Sequence, residues 1–346
     1  MHWMKILALL VPVAAASSEP IQSYDSYKSW LVACDNGLTC VAKGFSEDEK
    51  RAQISIERAA GPAGTITATI SAANKFTLAD VRLDGKSVEL NPQDWKLDGG
   101  DSEFSLSSDR LPAIQALVAR LRNGSKLTLA DGAQVPLDGF AAAMLRVDER
   151  QGRLDNVTAL AKSGTTAAAQ VPSAPALPRI PNHPITAKLA FDEAQKLITD
   201  VRAAQKAVFE KQDCEADVSV MKPEAYALDD KLALVLLPCI MGAYQGSSLA
   251  FLAPRDGGLA TQVIAPLAYA GNRPDRSGVT MFTESDFDPD TGTLAMAARG
   301  RGMADCGMSA SWIWDGQAFR MASLSYQAAC GGLAPGDWPT LFRSIQ

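Results

Sequence analysis

The sequence predicts an α+β protein of two domains stapled by local disulfides. An N-terminal small antiparallel sheet with two helices precedes a C-terminal domain of mostly antiparallel β-strands. The chain has 346 residues, enough for two hydrophobic cores. Short segments alternate apolar and polar residues with period two, and a segment rich in proline and alanine separates two sets of them. We therefore divide the chain into a signal peptide (1–16), an N-terminal domain (17–160), a linker (161–184) and a C-terminal domain (185–346).

The first residues have the composition of a secretory signal peptide. Lys5 supplies a positive charge, residues 6–13 are apolar, and residues 14–16 (AAA) fit a cleavage site before Ser17. The apolar run is shorter than the ~20 residues that a membrane span needs, and no later run is long enough. We expect a periplasmic or secreted protein without a membrane span.

The N-terminal domain alternates predicted strands with two predicted helices. The segments QISIER, TITATIS and KFTLADVRLDG are predicted strands, and Asp84-Gly85 indicates a hairpin turn. LPAIQALVARLRNG is a predicted helix that Asp109 caps, with Pro112 in its first turn and Gly124 after its last. KLTLADG adds a strand, and DGFAAAMLRVDERQGRL predicts a second amphipathic helix.

The linker contains five prolines and few apolar residues, which is typical of an extended, exposed segment. His183 lies near its end, and we expect this histidine to be solvated and inactive. ITAKLAFDEAQKLITDVRAAQKAVFEKQ then predicts helix in one or two pieces. After it, short segments predict the strands of a sandwich, barrel or partial propeller: KLALVLLPC, SSLAFLAP, LATQVIAPLAY, TGTLAMAARG, SASWIWDG and AFRMASLSY.

Six cysteines follow the predicted signal peptide, and an even number in an exported protein favours disulfides. A zinc cluster is the alternative, but the chain has no C-x-x-C and one histidine after residue 16. We expect no cofactor. The spacing favours three local pairs: Cys34–Cys40, Cys214–Cys239 and Cys306–Cys330. In the chain-entropy model, each of the two disulfides that close the longer loops would stabilise the fold by ~3 kcal/mol.

The net negative charge of the chain limits the class of partner. The formal net charge is −6 at pH 7, whereas nucleic-acid binding needs clustered lysine and arginine. We therefore expect no nucleic acid. We expect a protein or cell-wall component as partner, and the charge favours a basic one.

Several segments together resemble a bacterial exported family, domain of unknown function 1176. They are LRVDERQGRLDNVTAL, PCIMGAYQGSSLAFLAP, GRGMADCG, WIWDGQAFRM and CGGLAPGDWPTLFR, and the similarity covers essentially the whole mature chain. This resemblance implies no established activity and no catalytic residues. The first domain also resembles the invasion-associated locus B family, in Trp30-x3-Cys34, in Cys40 and in LDGFAAAML (137–145). That resemblance implies a role in envelope or surface interactions.

The acidic segment FTESDFDPDTGTL has the alternate spacing of a calcium loop. Thr291 stands where an EF-hand needs glycine, and Ala297 stands where it needs a bidentate glutamate. A hairpin is therefore favoured over a metal site, and metal-dependent thermal stabilisation would reverse this preference. The metal candidates are Asp286, Asp288 and Asp290.

The segment VDERQGR (147–153) groups charges at the end of the second predicted helix. One interpretation is a solvated face, on which Glu149 and Arg153 pair at i,i+4. In the alternative, which we prefer, the side chains of this segment bind the helix end to the second domain. Arginine suits such a contact because its planar guanidinium binds carbonyls and carboxylates in pairs. The residues of that contact are Asp148, Arg150, Gln151 and Arg153.

Trp312 and Trp314 lie on the same face of one predicted strand. Such pairs are typical of a core. The alternative is a shallow aromatic platform for a glycan or peptide, rimmed by Tyr244, Gln245, Arg299 and Arg301.

The sequence lacks the residues that several classes of hydrolase require. No G-x-S-x-G elbow is present and the histidine lies on the linker, so Ser-His-Asp and Cys-His hydrolases are not expected. We predict a non-enzymatic binding protein of the bacterial envelope, for example an inhibitor of a basic hydrolase. The alternatives are a histidine-independent glycan hydrolase with paired carboxylates and a purely structural envelope component.

Overall fold

A computed structural model describes residues 21–46, 50–99, 103–268 and 278–346. The predicted signal peptide lies outside these residues. Over the described ranges, no helix has both the length and the apolar character needed to cross a membrane.

The first half forms two antiparallel sheets and two helices. Its strands are β1 Ser23–Tyr27, β2 Trp30–Cys34, β3 Cys40–Phe45, β4 Ala52–Arg58, β5 Ile66–Ala72, β6 Arg82–Leu83, β7 Lys86–Ser87, β8 Lys96–Gly99, β9 Phe104–Ser108, β10 Lys126–Thr128 and β11 Gln134–Pro136. Its helices are α1 Leu111–Leu121 and α2 Phe140–Arg150. One sheet has seven strands in the order β1-β2-β3-β4-β5-β9-β8, and the other has four in the order β11-β10-β6-β7.

The period-two alternation gives the seven-stranded sheet two different faces. Its inner face is apolar and packs into the same core as the helices, with Ile56 and Ile70 completely buried. Trp30 packs edge-on against Phe140 of α2, with ring centroids 4.8 Å apart. The outer face carries polar residues on β4 and β5, because strand neighbours point to opposite sides.

Two local expectations in this half need correction. Arg110, not Asp109, is the N-cap residue of α1, and it makes no side-chain capping bond. The segment KFTLADVRLDG is not one strand. The Asp80 carboxylate accepts hydrogen bonds from the backbone N and the Oγ1 of Thr77 (2.8 and 2.7 Å), which stabilises a 3-10 turn over Leu78–Asp80. The predicted Asp84-Gly85 turn is confirmed between β6 and β7, with both residues at positive φ.

The second half begins with helix in two pieces, α3 Phe191–Ala204 and α4 Lys206–Lys211. Its strands are β12 Glu224–Ala227, β13 Leu232–Met241, β14 Gly246–Pro254, β15 Thr261–Gln262, β16 Phe282–Thr283, β17 Asp286–Asp288, β18 Thr293–Arg299, β19 Gly307–Trp314, β20 Phe319–Gln327 and β21 Thr340–Arg343. The predicted strand LATQVIAPLAY is reduced to β15 in its described part, where Pro266 has no N–H to extend a ladder.

These strands form two antiparallel five-stranded sheets that share a core. One sheet has the order β12-β13-β14-β15 with β16 beside β14, and the other has the order β17-β18-β19-β20-β21. Leu234 and Ala250 of the first sheet pack in one cluster with Leu294 and Trp312 of the second. The opposite face of the first sheet packs on α3. Ala33 of β2 also joins the shared core, so the two halves are in contact.

The predicted disulfides are all present: Cys34–Cys40, Cys214–Cys239 and Cys306–Cys330. Between the halves, most side chains of residues 161–184 are exposed, but Val171 and Ile180 are buried. The Ile180 N–H donates to the Ile345 carbonyl (2.9 Å), and the Ile345 N–H donates to the Pro178 carbonyl (2.9 Å). The linker therefore contacts the end of the chain.

Candidate functional site

A cleft of about 520 Å³ lies where the outer face of β3 and β4 meets the segment that leads into β21. One wall comes from the first half and the other from the second. Lys43 and Asp337, on opposite walls, are 294 positions apart in the chain. The lining residues are Asp35, Thr39, Val41, Lys43, Ser55, Glu57, Ala59, Asp337, Trp338, Pro339, Thr340 and Arg343.

Lys43 is 3% exposed, although it carries a charge. Its Nζ donates to the backbone carbonyl of Asp337 (2.6 Å) and to the Oδ2 of the same residue (2.8 Å). Gln53 Nε2 donates to that Oδ2 as well (3.2 Å). A buried ammonium is tolerated only when paired and hydrogen-bonded, so these bonds hold the two walls together.

Asp35 makes the second contact across the cleft. It lies in the tight loop that the Cys34–Cys40 disulfide closes, and its Oδ1 accepts the backbone N–H groups of Gly37 and Thr39 (2.8 Å each). This turn leaves Oδ2 to accept from Arg343 Nε at 2.5 Å. The Cys34–Cys40 loop, which the sequence predicted as a local disulfide crosslink, therefore presents a carboxylate to the other half.

Asn36, in the same loop, binds the backbone of β21. Its amide nitrogen donates to the Arg343 carbonyl, and its amide oxygen accepts from the Arg343 N–H, both at 2.9 Å. One side chain thus satisfies both backbone groups at this point of an edge strand. This contact fixes the position of the second wall.

Glu57 differs from the other charged residues of the cleft. It is exposed on β4 opposite Val41 of β3. Among the described residues its carboxylate forms no hydrogen bond or ion pair, whereas the other charged groups of the lining are paired across the cleft. Its neighbour Ser55 likewise has an unbonded hydroxyl within that part of the chain. These two side chains are available to a ligand.

The alternative of an aromatic platform is wrong, and the core position that is typical of such a tryptophan pair is confirmed. Trp312 is 0% exposed and Trp314 is 1% exposed. Trp312 donates from Nε1 to the Pro266 carbonyl (2.7 Å) and packs edge-on against Phe282. Both tryptophans are core residues, because the sheet that contains β13 and β14 packs over the inward face of β19.

Three of the four predicted rim residues do come together. The Gln245 side chain donates to the Arg299 carbonyl (3.2 Å) and accepts from the Arg299 N–H (2.9 Å). The Arg299 guanidinium lies over the Tyr244 ring at 5.4 Å from its centroid. Arg301 binds Asp305 instead, with Nε donating at 2.7 Å. Tyr244, Gln245 and Arg299 therefore bind one another, and the two tryptophans that they were expected to surround are buried.

The predicted acidic hairpin over Asp286, Asp288 and Asp290 is present as β17, a turn and β18. Asp288 accepts from Thr291 Oγ1 (2.7 Å) and from the Asp290 N–H (2.9 Å), and these bonds hold the pKa of Asp288 below its ordinary value. The three carboxylates do not converge. In the described ranges, the one group with three ligand atoms within 4.8 Å is Asp305, Cys306 and Cys330. Those two cysteines are joined in a disulfide, so they offer no thiolate.

The charged end of α2 binds the first half rather than the second. Arg153 is 0% exposed and donates to Gln151 Oε1 (3.1 Å), Thr158 Oγ1 (2.8 Å) and the Gly61 carbonyl (2.6 Å). Gln151 Nε2 donates to the Leu38 and Arg58 carbonyls (2.8 Å each).

Asp148 and Arg150 complete this end of the helix. Asp148 accepts the N–H groups of Leu160 and Ala161, while burial raises its pKa. Arg150 donates to the Ile21 carbonyl. These bonds join the helix end to the first half and to the start of the linker. They do not form the contact with the second domain that we expected.

The alternative i,i+4 pair is also wrong. Helix α2 ends at Arg150, and Glu149 pairs with Arg146 at 2.8 Å. His183 is half-buried beside Gly316 rather than fully solvated.

The comparisons with known proteins agree with the resemblance over the whole chain. The family model described as "Protein of unknown function (DUF1176)" matches residues 24–344. The chain belongs to this family. It is 28% identical over 344 residues to "Uncharacterized protein YpfG" of Escherichia coli (strain K12), and the match covers 96% of each chain. No solved structure matches. The resemblance to the invasion-associated locus B family stays a prediction.

In this DUF1176 protein, the residues that join the halves were not predicted from the sequence. Two signals could have found some of them. Asp35 and Asn36 are polar residues inside a disulfide loop, and Lys43 interrupts an apolar strand. Nothing local marks Asp337 or Arg343, because their partners lie about 300 positions away.

Proposed function

We propose that this protein is exported to the periplasm or the cell surface and binds a protein or cell-wall partner there without catalysis. The signal-peptide composition of the first 16 residues supports export, and the disulfides suit an oxidising compartment. In the two-domain organisation that we propose, the division at 161–184 assigns one wall of the cleft to each domain.

The cleft and the pairing of its charges carry this proposal. Ligand sites occur preferentially between domains, in concave surfaces with a few directed polar groups. Hydrolysis of a glycan by paired carboxylates needs one carboxyl group that donates a proton and a second that acts on the sugar or on water. Here Asp35 binds Arg343 and Asp337 binds Lys43, and Glu57 takes part in neither pair. This arrangement favours binding over the hydrolase alternative.

A cleft-filling variant tests the site. The half-buried Ser55 lines the cleft, so Ser55→Trp places an indole in it without touching the core. Ser107→Trp is the matched control, on the same outer face at β9 but outside the lining. Immobilised wild-type protein and both variants are incubated with a periplasmic extract and with purified cell wall, and the retained material is quantified.

We expect the wild-type protein and Ser107→Trp to retain the same partner, and Ser55→Trp to retain at least about tenfold less, as for the loss of a central contact. Equal retention by all three proteins would place binding elsewhere. Release of sugar from cell wall that disappears in Glu57→Gln would instead establish the hydrolase alternative.

A further inference from the structure

We infer that the cleft takes a lysine or arginine side chain of a basic protein partner, with Glu57 as the counter-ion. This inference rests on the proposed function and names the chemistry that the cleft recognises. It makes the partner a protein with an exposed basic segment.

The charge balance of the lining supports a cation. The cleft contains three carboxylates and two cationic side chains. Arg343 pairs with Asp35 at 2.5 Å and Lys43 pairs with Asp337 at 2.8 Å. Once these pairs are set aside, the lining has one remaining charge, the carboxylate of Glu57. A bound cation would neutralise that charge, whereas an anion would have to displace a carboxylate from one of the two pairs.

The shape and the other lining groups suit a long basic side chain. A volume of about 520 Å³ is within the range of ligand sites. Val41 lies opposite Glu57 on the neighbouring strand, and Trp338 and Pro339 line the other wall. Lysine and arginine place their methylene stems on apolar groups and their charged ends on polar ones. Ser55 offers a hydroxyl as a further acceptor.

The net charge of the chain agrees with this partner. A formal charge of −6 attracts basic proteins over distances comparable to the Debye length and would raise the association rate. Glu57 supplies the short-range contact that the overall charge cannot supply by itself.

Isothermal titration calorimetry with two peptides tests the inference. The probe is tetralysine capped at both ends, and its control is the same peptide with every side chain acetylated, which keeps the stems and removes the charge. The proteins are the wild type, Glu57→Gln, Ser55→Trp and the matched control Glu89→Gln. Glu89 is exposed in the same half but lies outside the cleft lining. Far-ultraviolet circular dichroism confirms that each variant is folded.

We expect tetralysine to bind the wild-type protein and Glu89→Gln equally, and to bind Glu57→Gln about tenfold more weakly, as for the loss of one charge-assisted contact. The acetylated peptide should not bind, and 0.5 M salt should weaken the wild-type affinity as screening requires. Equal affinities for Glu57→Gln and Glu89→Gln would overturn the inference, as would binding of the acetylated peptide. If tetralysine fails to bind while Ser55→Trp abolishes partner retention, the cleft stands as a binding site and its assignment to a cation is wrong.

Discussion

Replacement of Arg153 by methionine is expected to destabilise the first half strongly. Arg153 is completely buried and donates three hydrogen bonds, to Gln151, Thr158 and the Gly61 carbonyl. Methionine keeps much of the stem but removes every donor and also the positive charge near Asp148. A buried polar group that loses its hydrogen-bond partner costs about 1–3 kcal/mol. The loss of all three bonds should therefore cost at least about 3 kcal/mol, a large part of the ~5–15 kcal/mol that holds a typical protein folded.

The free energy of unfolding in urea, followed by circular dichroism, measures this cost. Arg153→Lys keeps the charge but not the planar fork, so its loss should lie between those of the wild type and Arg153→Met. Arg122→Met is the control, because Arg122 is exposed at the end of α1. A loss for Arg153→Met within the roughly 0.5 kcal/mol of an ordinary surface substitution would mean that the buried guanidinium does not stabilise this half.

Three further outcomes are expected. The hydrogen bonds from Arg301 hold the pKa of Asp305 below its ordinary value, so this carboxylate stabilises the fold above the pKa of an unfolded aspartate. That contribution is lost as the pH falls through the lower folded pKa, and urea unfolding between pH 6 and pH 2 should show a flatter acid limb for Asp305→Asn; identical slopes would contradict the pairing. Trp312→Ala should lose about 3–5 kcal/mol of unfolding free energy, as a buried core residue does, whereas the exposed Tyr244→Ala should lose far less, and a similar loss for both would contradict the burial. Thiol titration of the denatured protein should find no free groups before reduction and all six cysteines after it, and appreciable free thiol before reduction would exclude the three disulfides.

Much of the local structure could be predicted from the sequence. The alternation in QISIER and TITATIS placed β4 and β5, and Asp84-Gly85 placed a hairpin turn. Failures occurred where a side chain competed with the backbone pattern. The bonds between Asp80 and Thr77 bend a predicted strand into a turn.

The candidate site was harder to predict than the fold. Trp312 and Trp314 are conspicuous in the sequence because they are aromatic and closely spaced, but the sheet that contains β13 and β14 covers them. The cleft instead uses residues of ordinary type, such as Glu57 and Lys43. Only their partners and exposure distinguish them, and neither property is encoded locally.

Patterns along the chain were sufficient to predict the disulfide pairs and most strand positions, because short loop closures and period-two alternation depend on sequence neighbours. The family was indicated by the segments that resemble it. Only the packing of the two halves shows which aromatic residues are buried and where a ligand has room. Those features depend on contacts such as that of Lys43 with Asp337, between residues 294 positions apart that meet only when the two halves pack together.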